Sequence, residues 1–394
     1  MSESASALLT LAKQIAKEIA APHADAVDRD ARFPLEAINA LKEAKLLSAY
    51  IPEELGGAGA SLTELVEICD ALGQQCSATA MIFAMHQIQV ITLVRHALDN
   101  PWYRQYLRDL VDHQYLIASV TSEVGVGGEM RRSACCVESD GTEFRLVKNA
   151  MTISYGAQAD DLLVTARRAQ DAANSDQSLI LVRKSAYHLE QKGDWDTMGM
   201  RGTCSPPFLL SATGVVAQII ATAFADMSNV TVVPVSHLLW SGCWQGIAAA
   251  AVNKARAFVR GQARANPGTV PPTALRLAEL VGMLQTLRTA SQACLMEYEQ
   301  LTAAHSVHNG DSVNDRLSTM GYALKMNNLK IQASQDLPVI VTKALSICGI
   351  LGYKNDSPFS MSRHLRDAHS AALMVGNDRI LATNANMLLI LKDN

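Results

Sequence analysis

Three polar stretches of the 394-residue chain combine residue types able to grip a cofactor. The first, Thr121-Ser122-Glu123-Val124-Gly125-Val126-Gly127-Gly128-Glu129, sets two hydroxyls ahead of closely spaced glycines, directly after a β-branched run. Backbone N–H groups left uncovered by glycine can approach a phosphate or a flavin edge, and hydroxyls can bond ring heteroatoms. The same glycines would serve an ordinary hairpin. They lack the Gly-Lys-Ser/Thr ending of a phosphate loop, and no helical pattern follows to complete a dinucleotide fingerprint. In the second, Met151-Thr152-Ile153-Ser154-Tyr155-Gly156, extended backbone would turn Thr152 and Ser154 to one side, either toward a cofactor or toward solvent. The third, residues 196–205, carries Arg201, suited to an anion or to the surface of a turn. Near the C-terminus, Gly349-Ile-Leu-Gly352-Tyr353, Arg366-Asp367 and Val375-Gly376-Asn377-Asp378 read as a hinge built to hold a bulky ligand.

The elements that must position these stretches follow the order helices, strands, helices. Leu8, Leu9, Ala12, Ile15, Ala16 and Ile19 recur at three- and four-residue spacing, and Leu35, Ile38, Leu41 and Leu46 repeat the pattern behind Pro34. After a glycine-rich break at 52–59, Ser61-x-x-Glu64 reads as a capping box. Residues 61–98 then read as two helices, the second with a methionine-rich stripe of core type and His86 as a hydrogen-bonded helix histidine. Short β-branched runs follow at 115–120, 143–148, 162–166, 178–182, 215–220 and 230–235. No helix between them is long enough for a βαβ crossover, which excludes a Rossmann domain. Helical period returns in 237–265, 273–305, 312–336, 337–349 and 361–391. The expected class is α+β, mainly α: an N-terminal helical domain (1–113), a central antiparallel β-barrel domain (114–235) and a C-terminal four-helix bundle (236–394).

With 49% hydrophobic and 18% charged residues the composition is that of a folded protein, and its length exceeds one hydrophobic core. A net charge of −4 with scattered basic residues excludes a nucleic-acid face and a polybasic membrane anchor. The eight cysteines form no Cys-x-x-Cys pair, so free thiols in a reducing compartment are expected and a metal site is not. The start Met1-Ser-Glu-Ser has no signal-peptide pattern, and no run reads as the about 20 apolar residues of a membrane span. A cytoplasmic location is the expectation.

Five motifs, in order, resemble the acyl-CoA dehydrogenase superfamily over nearly the full length. Residues 52–59 resemble its Pro-Glu-Glu-x-Gly-Gly-x-Gly, 122–129 its Thr-Glu-Pro-Gly-x-Gly-Ser-Asp flavin loop, and 150–155 its Lys-x-Trp-Ile-Thr-Asn strand. Residues 199–203 resemble its Gly-Met-Arg-x-Thr loop, and 349–353 with 366–368 its Gly-Gly-x-Gly-Tyr and Arg-Asp-Ala. The resemblance implies FAD. Val120, Thr121 and Ser122 would face the pyrimidine edge of the flavin, Gly127 and Gly128 would belong to its loop, and Ser154 would bond flavin N5 beside Thr152. Gly349 and Gly352 would approach the FAD of an adjoining subunit in a homotetramer or homodimer. The family's Arg-x-Phe-Gly is absent, with Arg264 and the 267–272 turn in that region.

The resemblance further implies an acyl thioester substrate, and an electron-transfer flavoprotein or another acceptor for the electrons. A family glutamate removes the α-proton while hydride leaves for flavin N5. Its position falls on Val375, which offers only a backbone N–H to a thioester carbonyl. The alternative family position falls on Ser236 or His237; His237 is either a displaced base or a histidine facing solvent at a helix start. Asp378, one turn beyond Val375, is the remaining candidate. The leading expectation is α,β-dehydrogenation of an acyl thioester. The alternatives are a flavin monooxygenase, which needs no α-carbon base, and an impaired subunit supporting a partner. Monooxygenases of this fold usually carry His-Asp-Pro where this chain has Met374-Val375-Gly376.

Overall fold

In the computed structural model, which describes residues 3–126, 129–303 and 316–391, helical periodicity decides both ends of the chain. The first helices are α1 (Glu3–Ile15), α2 (Ala21–Arg29), α3 (Leu35–Glu43), α4 (Leu62–Gly73), α5 (Ser77–His96) and α6 (Pro101–His113). The capping box forms: Ser61 Oγ accepts from the Glu64 N–H, and the Glu64 carboxylate accepts the Ser61 N–H. Contrary to expectation, one segment among the described residues is long and apolar enough to cross a membrane, namely α5, with mean hydropathy 1.4. It is instead buried in the core, where His86, Gln87 Nε2 and Thr92 find partners. His86 Nε2–H donates to the Leu47 carbonyl (2.8 Å) while Nδ1 accepts the Ile117 N–H (3.1 Å), and Gln87 donates to Leu46 and Leu47.

Strands occupy the middle: β1 (Ile117–Val120), β2 (Glu138–Ser139), β3 (Glu143–Ala150), β4 (Asp161–Arg167), β5 (Gln177–Arg183), β6 (Tyr187–Gln191) and β7 (Phe208–Val215). They form two sheets, β1-β4-β5 and β2-β3-β7-β6, rather than a single antiparallel barrel. Moreover, β1 pairs with β4 in parallel, because the chain spends the residues between them on the β2–β3 hairpin and returns in the original direction. Strand β3 buries Phe144, Leu146, Lys148 and Ala150 on one face and exposes the residues between them, the pattern of a half-buried strand. The strand expected at 230–235 is helical, since its β-branched residues pack into a short π-helical turn (Ser228–Val232) that leads into the next long helix with Pro234 in its first turn.

The later helices are α7 (Phe224–Met227), α8 (Val233–Ala265), α9 (Thr273–Ala303), α10 (Met320–Cys348), α11 (Ile350–Tyr353), α12 (Ser362–His369) and α13 (Asn377–Leu388). Helix α8 is buried along every face from Pro234 to Val252, packed by α4, α5, α9 and α10. Its crossing with α4 requires glycine. A Cβ on Gly246 would meet the Asp70 carbonyl oxygen at 2.4 Å, and one on Gly73 the Cys243 oxygen at 2.6 Å. Helix α10 runs unbroken through Pro338, where two helices were expected, and the single expected 361–391 helix is divided in two at 370–376.

Burial pushes the imidazoles of His86, His96 and His237 down from 6.5 to about 4. Groups with depressed folded pKa values give stability that is complete above their unfolded value and lost as pH falls through the folded one. The melting temperature is expected to fall steadily between about pH 6.5 and about pH 4, and His96→Gln to remove part of that slope. A melting temperature independent of pH across this window would refute the assignment.

Candidate active site

A cavity of about 560 Å³ opens between α5, the ends of β1 and β3, the 195–205 loop, the start of α8 and the 366–375 segment. That volume is typical of a small-molecule site. Thr121, Ser122, Thr152, Ser154, Thr203 and Ser205 supply hydroxyls, Trp195 and Trp240 aromatic surface, and Met81, Met85, Met130, Met198, Met200 and Met374 soft thioether walls. Arg366 and His369 are its charged or titratable residues. Among the described residues no aspartate or glutamate lines it.

The hydroxyls are brought together by the ends of two strands and one loop. Ser122, just past β1, donates to the Thr152 carbonyl (2.7 Å) and accepts the Thr152 N–H (3.1 Å), which fastens β1 to the segment after β3. Thr152 and Ser154 both line the cavity, while Ile153 between them is fully buried. Tyr155 takes the left-handed φ of 45° and gives its N–H to the Thr203 (2.7 Å) and Cys204 (3.1 Å) carbonyls. That brings the 203–205 segment against Ser154: Ser205 Oγ donates to Ser154 Oγ at 2.9 Å and lies 2.9 Å from Thr203 Oγ1. Thr203 Oγ1 donates in turn to the Met200 carbonyl at 2.8 Å. Glu123 turns away into the core. There it accepts the Ala134 and Cys135 N–H groups (3.0 and 2.7 Å) beside the buried Lys148 ammonium at 3.5 Å.

Behind the 195–205 loop sits a clamp made by Arg366 and Asp367. Buried Asp367 accepts the Met200 N–H at 2.7 Å and a short hydrogen bond from Ser77 Oγ. Burial pushes its carboxyl above the usual range, and these two donors pull the other way. Arg366 pairs through both nitrogens with Asp28 and donates to the Met198 carbonyl at 2.9 Å. The loop must touch α12 for this: a Cβ on Gly199 would lie 2.1 Å from the Arg366 carbonyl oxygen. Arg201, considered above for an anion, is spent on the loop itself, bonding the carbonyls of Asp28 and Thr197 (both 2.8 Å).

The base candidates fare differently. Val375 lines the cavity with φ 47°, a strained conformation for a β-branched residue. Lys330 Nζ holds it there, donating to the Val375 carbonyl (3.3 Å) and to Asn377 Oδ1 (2.7 Å), with burial drawing the lysine pKa down to about 8. His237 neither lines the cavity nor faces solvent. It is 3% exposed, and its Nδ1–H donates to the Met326 carbonyl at 3.0 Å because α10 covers that side of α8. Its neighbour Ser236 lines the cavity instead. Asp378 is exposed on the first turn of α13, outside the lining. Val120 is fully buried and lies outside the lining, Gly349 and Gly352 are also outside it, and Gly127 and Gly128 fall outside the described residues. Sequence reasoning passed over Ser205, Trp240 and His369. Ser205 ends a stretch already marked as polar, whereas nothing local distinguishes Trp240 from core.

The family model described as Acyl-CoA dehydrogenase, N-terminal domain, matches residues 2–133. The chain is similar to L-evernosamine nitrososynthase of Micromonospora sp., 26% identical over 366 residues that cover 89% of this chain and 82% of the relative. FMN-bound TdsC of Paenibacillus sp. A11-2, a dibenzothiophene monooxygenase, has the same fold with TM-score 0.83 and 18% identity over 98% of each chain. Butyryl-CoA dehydrogenase of Megasphaera elsdenii superposes with TM-score 0.81 and 18% identity over 99% of each chain.

The clamp can be tested without ligand. Asp367→Ala leaves the Met200 N–H and the Ser77 hydroxyl buried without acceptors, each costing about 1–3 kcal/mol. Urea denaturation is expected to show a loss of about 3 kcal/mol, against little change for the exposed Asp378→Ala.

Proposed function

The chain belongs to the acyl-CoA dehydrogenase superfamily, and on that premise we propose a flavoenzyme that uses molecular oxygen to hydroxylate a largely apolar substrate. The observation that carries this reading is the cavity wall without a carboxylate, with Val375 where the family resemblance implies glutamate. Removal of an α-proton needs a base within hydrogen-bond reach of the carbon. His237 and Asp378 lie outside the lining, Arg366 is committed to Asp28, and His369 stands at the exposed rim. Transfer of oxygen needs no such base. It needs a protected pocket, an apolar wall and a source of protons.

The donor set fits a flavin ring: hydroxyls from Thr121, Ser122, Thr152 and Ser154 on one wall, thioethers and Trp240 on others, matching a tricycle with a polar edge and apolar faces. A bound flavin would supply the two electrons with which oxygen is split between substrate and water. Substrate, oxygen, two electrons from reduced flavin and two protons then give hydroxylated substrate and water. The chain's own residues would hold the polar edge, exclude bulk water with methionine and tryptophan, and exchange protons at the rim through the imidazole of His369. FAD, implied by the resemblance, and FMN, which TdsC holds, share the ring that these hydroxyls would meet. Exposed Ile350 and Tyr353 beside Gly349 and Gly352 support the further reading that this corner meets a second subunit.

Dehydrogenation of an acyl thioester, with electrons passed to an electron-transfer flavoprotein, is the reading this proposal displaces. The deciding experiment identifies the flavin released from the purified protein, reduces the holoenzyme without oxygen, then admits isotopically labelled oxygen with a panel of thioethers, amines and aromatic compounds. One labelled oxygen atom in a product is expected. Anaerobic bleaching of the flavin by an acyl-CoA, with no labelled product, would overturn the proposal.

A further inference from the structure

Thr203, Ser205 and Ser154 form a row of hydroxyls in the cavity wall, in which Thr203 and Ser205 are buried and Ser154 is the more open end. A hydroxyl carries one proton and can accept at its lone pairs. The Ser205 proton is given to Ser154 Oγ at 2.9 Å, so the Ser154 proton is left for the cavity. At the inner end Thr203 has two acceptors in reach, the Met200 carbonyl at 2.8 Å and Ser205 Oγ at 2.9 Å. The Met200 carbonyl does not depend on the Thr203 hydroxyl, because the Thr203 N–H (3.1 Å) and Trp195 Nε1–H (3.3 Å) also donate to it. Thr203 can therefore turn to Ser205 and leave no acceptor empty. All three protons then point the same way, Thr203 to Ser205 to Ser154 to cavity. Thr203 and Ser205 are only 4% and 2% exposed, so water scarcely competes, and hydrogen bonds in such a row polarise one another.

We propose that Thr203 and Ser205 are positioning residues that hold Ser154 as a hydrogen-bond donor into the cavity and thereby favour the oxidised ring of the flavin bound there. This rests on the flavoenzyme reading. An oxidised flavin presents ring nitrogens with lone pairs, which accept from Ser154. Two-electron reduction places a proton on a ring nitrogen, and that N–H needs an acceptor. Ser154 can accept it only by turning its own proton away, which the incoming Ser205 proton opposes. Reversal of the row requires Ser205 to swing its proton back to Thr203 Oγ1 or to the Thr203 carbonyl at 3.3 Å. With Ser205 cut out, Ser154 turns freely and the reduced ring loses its disadvantage.

The test is the flavin midpoint potential of the holoenzyme, followed by its visible spectrum during reductive titration. Ser205→Ala is expected to shift the potential to a more positive value, Thr203→Val to shift it less in the same direction, and Ser205→Thr, which keeps the hydroxyl, to restore the wild-type value. Circular dichroism and flavin content identify a variant that fails to fold; if Ser205→Ala does so, the positive shift in Thr203→Val decides. A flavin-loaded wild type with the same potential as Ser205→Ala and Thr203→Val overturns this inference alone. A wild-type chain that holds no flavin overturns the flavoenzyme reading and this inference together.

Discussion

Asp367 is a carboxylate removed from water and held by two donors that come from different parts of the chain. Ser77 opens α5 in the N-terminal region, and Met200 belongs to a loop between strands of the β region. Asp367 itself sits on α12, near the C-terminus. Its neighbour Arg366 reaches the same two regions through Asp28 and Met198. Three segments that are far apart in sequence are thus joined at one buried point, and the cavity opens immediately beside it. A buried carboxylate is costly unless its partners are in place, so the junction tolerates one arrangement of the three regions and disfavours neighbouring ones. The position of the 195–205 loop, and with it Thr203 and Ser205, follows from that constraint.

Features that could be read in the chain were local or periodic. Ser61 and Glu64 announced a capping box by spacing alone, and alternation was enough to give Thr152 and Ser154 a common side. What escaped was long-range. The direction of β1 relative to β4 depends on where the chain goes between them, which no window of residues contains. A β-branched run at 230–235 was indistinguishable from a strand until its packing around α8 was known. The 370–376 break arises because Lys330 and Ser334, on α10, bind Val375 and Asn377 more than forty residues away. His237 was correctly seen on a helix near its start, but the cover supplied by α10 cannot be counted from the sequence. Ser205 and Ser154, 51 residues apart, meet only because Tyr155 binds the backbone of residues 203 and 204.

The fold therefore constrains reaction class less than the cavity wall does. A chain of this architecture can serve dehydrogenation or oxygen transfer, and the difference lies in a few lining side chains rather than in helices or sheets. Here the wall presents thioethers, indoles and hydroxyls, and its one histidine lies at the exposed rim. A carboxylate at Val375 would sit on backbone that Lys330 already holds in a left-handed turn. The support for such a group is present, and the group is not.

The methionines of that wall carry a cost in the setting proposed for them. A thioether is readily converted to a sulfoxide, which is polar and chiral where the parent was apolar and pliable. Six of them face the cavity. A reactive oxygen species released in the cavity would find sulfur on several sides of it. The wall would act as a sacrificial lining that protects the hydroxyl row and the Arg366–Asp367 junction, while the pocket grows wetter and less selective with each turnover that goes astray. The working life of such a protein would be counted in uncoupled cycles rather than in hours.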